Sequence, residues 1–211
     1  MVELKMGLRT VDLPYTVRVH GVTEADFDEW VDEDTKAELL DGVMIVHSPA
    51  TPRHDDLAGF LRALMRIVAD ERQQGKVLGP DSVIHLASCR KFAPDLFFVE
   101  QRRLRRRLPK KEFQGSPNLI AEFLSHFNRE YDLEEKRPAY QEAGVDEIWL
   151  VDAENEEVIV DRRRGRRYVT ECVTRGRVSS LALPGFWIEA TWLWSEPLPN
   201  LMTCLRAILG E

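Results

Sequence analysis

The sequence predicts an α/β fold, which some schemes class as α+β, with a mixed β-sheet flanked by helices and extended by β-hairpins. One long stretch, from His54 to Gln74, carries apolar residues at the i, i+3, i+4, i+7 spacing of a helix. Short apolar runs of strand length precede and follow it. The order helix, strand, strand, strand, helix, strand is typical of a sheet with helices packed on it.

Length and composition predict one domain over residues 1–211, ending in an amphipathic tail at 195–211. The chain has 211 residues, of which 44% are hydrophobic and 31% are charged, as in ordinary globular proteins. No apolar run approaches the ~20 residues of a membrane helix, and we expect no secretory signal. Cys89, Cys172 and Cys204 are too far apart for a disulfide framework or a zinc ribbon, and they fit the cytoplasm.

Positive charge is concentrated in two segments of an acidic chain. The net charge is −7, which is not typical of a nucleic-acid binder. Segments 102–111 and 162–167 nevertheless hold 12 of the 29 lysines and arginines. Such segments either bind a phosphate backbone locally or are solvated loops without a ligand. Both interpretations stay open from the sequence.

The N-terminal half predicts a short helix, a hairpin, the long helix and three strands. Thr23 is a typical N-cap, with Asp26 three residues later, so a short helix is expected after it. The segment KAELLDGVMIVHS predicts a hairpin turning at Asp41–Gly42, a dipeptide favoured by type I′ turns. Gly75 is the expected stop of the long helix. KVLG and SVIHLA are then short strands, and KFAPDLFFVE is a stronger one.

The C-terminal half alternates apolar strands with one helix. A helix is expected from about 130 to 143, which Pro138 kinks or delays and Gly144 ends. DEIWLVD is typical of a buried strand, and EEVIVDRR with RRYVTECV predicts a hairpin that turns at Gly165. The segment GRVSSLALPGFWIE is expected to close the sheet. A short amphipathic helix follows Pro199.

Two acids interrupt neighbouring apolar strands. Asp95 follows Pro94 at the start of one strand, and Glu122 lies inside the next, where an unpaired charge costs several kcal/mol. Two carboxylates brought together need a cation or a proton between them, and Mg²⁺ suits such oxygen ligands. A bound Mg²⁺ can activate water and neutralise charge on a phosphate. The alternatives are a Pro-Asp turn for Asp95 and a structural salt bridge for Glu122.

Three further residues have two interpretations each. Glu38, just before the Leu-Asp-Gly turn, either joins the acids or is an exposed hairpin residue, which the sequence alone favours. Lys136 either points over the strand ends to stabilise a charged phosphate or is an exposed lysine paired with Asp132 or Glu135. His54 opens the long helix and is expected to be a capping or surface residue.

The motifs AELLDG, SPATPRHDDLAGFLRALM, APDLFFV, NLIAEFLS, D-x-x-x-K-x-x-x-Y and AGVDEIWLVD occur in this order. Over residues 22–194 the chain resembles the Uma-type putative restriction endonucleases, a branch of the PD-(D/E)XK nuclease superfamily. The register from Glu122 holds without a gap at Ser125, Asp132, Lys136, Tyr140, Gly144, Val145 and Trp149. No single motif is specific, but their order and spacing together are.

The resemblance implies a restriction-endonuclease-like core and the Mg²⁺- or Mn²⁺-dependent hydrolysis of DNA phosphodiester bonds. Asp95, Glu122 and the backbone carbonyl of Phe123 would then hold the metal. Glu38 would be an accessory catalytic acid, and Lys136 would be the catalytic lysine. DNA is the implied partner, and a homodimer is consistent with cutting two strands. The basic loop between the two metal-ligand strands would contact DNA through Arg102, Arg103, Arg105, Arg106, Arg107, Lys110 and Lys111.

The chain departs from the family pattern in two places. Leu124 stands where the superfamily usually has its lysine, which makes Lys136 the candidate for a migrated lysine. The turn that usually reads S-P-S-T is here Ser125–Asn128, with the sequence SHFN. This change would alter the substrate, weaken catalysis or mark a relic. The alternative function is therefore a catalytically impaired scaffold that binds nucleic acid or protein, with the Trp-rich segment FWIEATWLW as core or as a dimer face.

Overall fold

The computed structural model describes residues 5–6, 9–10, 15–32, 35–104 and 108–210. In chain order the strands are β1 (Lys5–Met6), β2 (Arg9–Thr10), β3 (Thr16–His20), β4 (Ala37–Leu40), β5 (Val43–His47), β6 (Gly75–Leu78), β7 (Val83–Ala87), β8 (Arg90–Phe92), β9 (Leu96–Glu100), β10 (Glu112–Gln114), β11 (Leu119–Phe123), β12 (Glu147–Asp152), β13 (Glu157–Arg164), β14 (Arg167–Val173), β15 (Arg177–Ser179) and β16 (Trp187–Glu189). The helices are α1 (Glu24–Trp30), α2 (Pro52–Glu71), α3 (Arg129–Tyr131), α4 (Arg137–Ala143) and α5 (Leu201–Leu209), with a π-helical turn at Asp132–Lys136 and a 3₁₀ turn at Ala190–Trp194.

The predicted class is confirmed, because mixed sheets are flanked by helices, but the strands form more than the one sheet expected. In the described part of the chain the N-terminal sheet has the order β10-β7-β8-β4-β5-β3. The central sheet has the order β14-β13-β12-β11-β9-β6. Two small hairpins, β1-β2 and β15-β16, stand apart from both. The prediction that GRVSSLALPGFWIE closes the main sheet is therefore wrong, since β15 and β16 pair only with each other among the described strands.

The helix cap and the hairpin turn that the sequence predicts at the N-terminal sheet are confirmed. Thr23 and Asp26 form a reciprocal capping box at the start of α1. The β4–β5 hairpin turns at Asp41–Gly42, where both residues have positive φ, as a type I′ turn requires. Phe27 on α1 is buried in a small cluster with residues of β4 and β5. This cluster holds the helix against the sheet.

The segment KFAPDLFFVE is two strands and not the single strand predicted. β8 belongs to the N-terminal sheet and β9 to the central sheet. Between them Ala93, Pro94 and Asp95 carry the chain from one sheet to the other. Proline has no N–H to donate to a ladder, so the strand ends there. Asp95 consequently lies at the seam between the two sheets.

The central sheet contains the main core. β11 is parallel to β12 and antiparallel to β9, and all of its residues are buried. Because side chains alternate across a strand, Ala121 and Phe123 pack on the α2 side, whereas Ile120 packs with Tyr140 of α4. Glu122 has the same parity as Ile120 and therefore faces the helix that carries Tyr140.

Helix ends differ slightly from the prediction. α2 starts after the N-cap Thr51 and ends at Glu71, with Arg72 as C-cap, so Gly75 is not its stop. Gly75 begins β6 instead, at a positive φ where a Cβ would collide with the carbonyl oxygen of Val99. Gly144 does end α4 in the left-handed conformation, as predicted.

Pro138 explains the irregular helix after β11. It lies in the first turn of α4, directly after the π-helical turn. A proline inside a helix removes one hydrogen bond and its ring clashes with the carbonyl four residues earlier, so the preceding turn widens. The widened turn carries Asp132 and Lys136, both buried.

The C-terminal tail helix is confirmed and packs on the main core. Cys204, Leu205 and Ile208 of α5 are buried in the cluster that also contains α2. Three tryptophans pack partly buried against this cluster, which favours the core interpretation of the Trp-rich segment: Trp187, Trp192 and Trp194. No helix among the described residues is long and apolar enough to cross a membrane.

Candidate active site

The structure brings Asp95 and Glu122 together. β9 and β11 are antiparallel with Leu96 opposite Ala121, so the residues just beyond that pair lie at the same end of the sheet. The backbone N–H of Asp95 donates to Glu122 Oε2 at 3.3 Å, and the N–H of Phe123 donates to Asp95 Oδ2 at 2.9 Å. Both carboxyl groups are buried in the wall of a cavity of about 70 Å³. The chain bends at Asp95 between the two strands, and the carboxylate of Asp95 lines this cavity.

Glu38 lies in the same cavity wall, so the expectation of an exposed hairpin residue is wrong. It is fully buried because β4 lies between β5 and β8. Its Oε1 accepts from the N–H of Ala93 at 2.9 Å, and its Oε2 lies 3.0 Å from His47 Nε2. Burial alone would raise the pKa of Glu38, but the ammonium of Lys136 and the His47 contact lower it below its usual range.

Lys136 is the buried cation of the site and not an exposed helix residue. Its Nζ lies 2.6 Å from Glu122 Oε1 and 3.1 Å from Glu38 Oε1. The predicted pairing with Asp132 is present but longer, at 3.6 Å. Burial would lower the pKa of Lys136, yet the charges of Glu122 and Glu38 raise it well above its ordinary value. Lys136 therefore stays protonated and links the N-terminal sheet to the central one.

The carboxyl groups differ in how well they are compensated. Burial raises the pKa of Glu122; Lys136 opposes this, but the charges of Asp95 and Glu38 keep the value above normal. Burial also raises the pKa of Asp132 well above its usual range. Asp95 differs, because His54 and Lys36 outweigh the effect of burial and lower its pKa. Glu122 and Asp132 are therefore the carboxyl groups of the cavity that take up a proton most readily.

Sequence reasoning missed several residues that contact the acids. His54 is not a surface or capping residue: its Nε2 lies 3.1 Å from Asp95 Oδ2, and Thr51 caps the helix. The signal was present, because His54 precedes Leu57 by three residues and shares its buried helical stripe. Lys36 reaches Asp95 Oδ1 at 3.4 Å, and the hydroxyl of Tyr140 donates to Glu122 Oε1 at 2.6 Å. Tyr140 follows Lys136 by four residues and shares its helix face.

Comparisons with known proteins agree with this architecture. The family model Uma2, described as "Putative restriction endonuclease", matches residues 24–191. The chain belongs to the Uma2 family. Its fold is similar to the crystal structure of a putative nuclease belonging to DUF820 from Anabaena variabilis ATCC 29413, with a TM-score of 0.67 and 16% sequence identity. That match covers 82% of this chain and 97% of the other. No curated protein matched the sequence.

The basic loop of the Uma2 chain begins at the end of β9 that lies away from the two acids. Asp95 precedes β9, whereas the loop follows Glu100 at the far end of that strand, roughly 16 Å away at ~3.3 Å per residue. There Arg102 pairs with Glu100 and Arg103 pairs with Asp146. Both basic segments line one cleft of about 790 Å³ through Arg102, Arg103, Arg162, Arg163 and Arg164. Lys110 and Lys111 are exposed, and Arg105, Arg106 and Arg107 lie outside the described residues.

The donor set of the Uma2 site suits a hard cation that also takes ligands from substrate and water. No group of three or more His, Cys, Asp or Glu side chains in the described ranges is arranged as a metal site. Two carboxylates do converge, and each has one oxygen whose hydrogen-bond contacts in those ranges are long. Asp95 Oδ1 meets only Lys36 at 3.4 Å, and Glu122 Oε2 meets only the Asp95 N–H at 3.3 Å. Mg²⁺ is commonly bound by one or two carboxylates with phosphate and water.

Proposed function

We propose that the chain is an endonuclease that hydrolyses DNA phosphodiester bonds with Mg²⁺ or Mn²⁺. The observation that carries the proposal is the pair Asp95 and Glu122, buried side by side in a cavity with one weakly engaged oxygen each. Membership of the Uma2 family and the nuclease-like fold support it. A substrate phosphate and water would complete the coordination.

Asp95 Oδ1, Glu122 Oε2 and the carbonyl of Phe123 would hold the ion. When bound, it would activate water and neutralise charge that develops on the phosphate. Among the described residues lining the cavity, four carboxyl groups face two lysines and two histidines: Glu38, Asp95, Glu122 and Asp132 against Lys36, Lys136, His47 and His54. Beyond the effect of burial, the charges of Asp95 and Glu38 raise the pKa of Glu122, and a bound cation would relieve that repulsion.

The two lysines have different tasks in the proposed reaction. Lys136 is buried, permanently charged and fixed by Glu38, so it presents an oriented cation next to Glu122. A fixed cation stabilises charge that develops on a phosphate without reorganising during the reaction. Lys36 has 34% of its side chain exposed at the cavity, and its contact with Asp95 is long. It can therefore turn to an entering phosphate.

Histidine and glutamate side chains position the reacting groups. His54 contacts Asp95 Oδ2 and leaves Oδ1 directed into the cavity. Glu38 is tied to His47 and Ala93, and it also contacts Lys136. We therefore assign Glu38 to holding Lys136 in place, as the accessory acid of the site.

Cleavage of supercoiled plasmid and of single-stranded circles, with Mg²⁺, Mn²⁺ or EDTA, tests the proposal. Asp95→Asn and Glu122→Gln should lower cleavage by about 10²–10³-fold, the scale of losing an essential electrostatic group. Thermal unfolding should show that both variants fold. The control is Glu154→Gln, which removes an exposed carboxylate in a turn outside the cavity. Wild type that cuts neither substrate with either ion would overturn the proposal.

A second candidate is a nuclease-fold scaffold that binds DNA without cutting it. The observation favouring it is the ammonium of Lys136, 2.6 Å from Glu122 Oε1, which competes with a metal ion for that carboxylate. Calorimetry with Mn²⁺ alone separates the candidates. Binding by wild type that Asp95→Asn abolishes favours the nuclease, and no binding at millimolar Mn²⁺ favours the scaffold.

A further inference from the structure

The turn Ser125–Asn128 connects the strand of Glu122 to the helix of Lys136 and forms part of the cavity wall. Phe127 in this turn has 61% of its surface exposed. It belongs to none of the hydrophobic clusters formed by the described residues. A single exposed apolar residue is common on proteins and indicates nothing by itself. Phe127, however, lies at the rim of a cavity lined by buried acids, where a bound ligand would contact it.

The turn that carries Phe127 is held in place. The rings of His126 and Phe127 meet edge to face at 5.5 Å. Asn128 donates its N–H to the carbonyl of Ser125 at 3.1 Å, and its side chain accepts from Thr16 Oγ1 at 3.1 Å. The aromatic face is therefore presented to solvent by a fixed support, so little ordering is needed when a flat ligand packs on it.

We propose that Phe127 forms a stacking subsite for an unpaired nucleobase next to the scissile phosphate. This inference rests on the proposed nuclease function. Phe127 lines the same cavity as Asp95 and Lys36. A phosphate bound near Asp95 and Lys36 leaves its neighbouring base at the rim, where Phe127 lies. Aromatic side chains stack on bases of any sequence.

Charge placement favours an unpaired base over a long duplex. In a duplex both faces of each base are covered by its neighbours, so Phe127 can stack only on a base at an end, flap or single strand. A protein that grips a duplex uses an extended set of basic side chains. Five arginines of the two basic segments line the cleft at the opposite end of the sheet and none of them lines the cavity: Arg102, Arg103, Arg162, Arg163 and Arg164. The described residues around the cavity can therefore bind one phosphate, and Phe127 can stack on one base.

Binding of fluorescent oligonucleotides measured by anisotropy in EDTA tests this subsite without requiring cleavage. Phe127→Ala and Phe127→Leu should each weaken binding of a single strand about tenfold, whereas Phe127→Trp should retain it within about twofold. Binding of a blunt hairpin duplex should change less than about twofold. The control is Val169→Ala, an exposed apolar residue on β14. Because Phe127 is exposed, its substitutions should leave the fold intact, and circular dichroism of each variant checks this.

Equal affinity of Phe127→Ala and wild type for the single strand would overturn the subsite, as would equal losses for both substrates. Retained binding by Phe127→Leu would also overturn it, because an apolar contact would then suffice. These results are separable from the cleavage assay. If wild type cuts DNA and Phe127→Ala binds normally, the nuclease proposal stands and the subsite is wrong. If nothing is cut but the tenfold loss appears, the subsite stands and the nuclease proposal is wrong.

Discussion

Each end of the central sheet buries a glutamate, and the two differ in what surrounds them. Glu147 opens β12 opposite Leu119, whereas Glu122 lies three residues further along β11, toward the cavity. Oε1 of Glu147 accepts from the indole of Trp149 at 2.6 Å. Its Oε2 accepts from the N–H groups of Leu181 and Ala182 at 2.7 and 2.9 Å. These donors are neutral and fixed, and they occupy both oxygens.

The hydrogen-bond and ion-pair partners of Glu122 differ from those of Glu147. One oxygen is engaged by Tyr140 and Lys136, and the other has a single long contact in the described structure. Burial, together with the charges of two further carboxylates, Asp95 and Glu38, raises the pKa of Glu122. A buried glutamate is thus no sign of function by itself. What distinguishes the candidate site is a carboxylate oxygen with only a long hydrogen-bond contact among the described residues, together with further carboxylates close by.

The largest effect is expected from Lys136→Met, which removes the buried cation at the cavity end of the central sheet. Glu38 and Glu122 would remain buried without their ammonium partner, which costs about 3 kcal/mol of unfolding free energy. Urea unfolding at pH 7.5 measures the loss.

Lys91→Met is the matched control, because Lys91 is just as buried. Its partners Asp28 and Glu112 reach solvent and can rehydrate, so its loss should be smaller. Equal losses of unfolding free energy in Lys136→Met and Lys91→Met would contradict the claim that the cavity end of the sheet depends on the ammonium of Lys136.

A smaller effect is expected from Glu147→Gln at the other end. The amide group must face at least one of the N–H donors that the carboxylate now accepts from, which leaves a buried donor unsatisfied and costs about 2 kcal/mol. Cleavage at a temperature where the variant is folded should stay within about twofold of wild type. Loss of cleavage without loss of stability would show that the two ends are not separate.

The smallest effect concerns the pH dependence of the metal-free protein. A raised pKa means that the folded state binds the proton of Glu122 more readily than the unfolded chain does. Stability from this group therefore increases as the pH falls from 7 toward 4.5, while Asp95 and Glu38, with lowered pKa values, stay ionised.

The Glu122→Gln variant removes that contribution, so its stability relative to wild type should decrease as the pH falls. Thermal melts of both proteins in EDTA at pH 7 and pH 5 measure the difference. A variant that gains stability relative to wild type on acidification would contradict the assigned direction of the pKa shift.

Local patterns predicted much of the fold. The Thr23 cap, the Asp41–Gly42 turn and the Gly144 stop depend on a few adjacent residues, and all three are confirmed. The division into two sheets was missed because it depends on which strands pair at long range. Pro94 interrupts the apolar run, but only the pairing shows that β8 and β9 part there.

The candidate site was predictable only where an acid stood among apolar residues. Asp95 and Glu122 met that condition, but Glu147 met it too. Glu38 appeared exposed because it precedes a turn, and its burial follows from a neighbouring strand 50 residues away in sequence, β8. His54 could have been found from the helical stripe that it shares with Leu57. The position of the basic loop required the direction of β9 relative to β11.

The π-helical turn at Asp132–Lys136 fixes the rotational phase of the helix that follows β11. Residues of an α-helix are separated by 100° around its axis, and a π turn accommodates one extra residue within the helix. Deleting a single residue from this turn would restore a regular helix and rotate Tyr131 by about 100° relative to Lys136 and Tyr140. The ring of Tyr131 and the ammonium of Lys136, now 5.8 Å apart, would then face different directions. Sequences that align with this one should therefore tolerate substitutions at the turn positions between Asp132 and Lys136 far better than changes in the length of the turn.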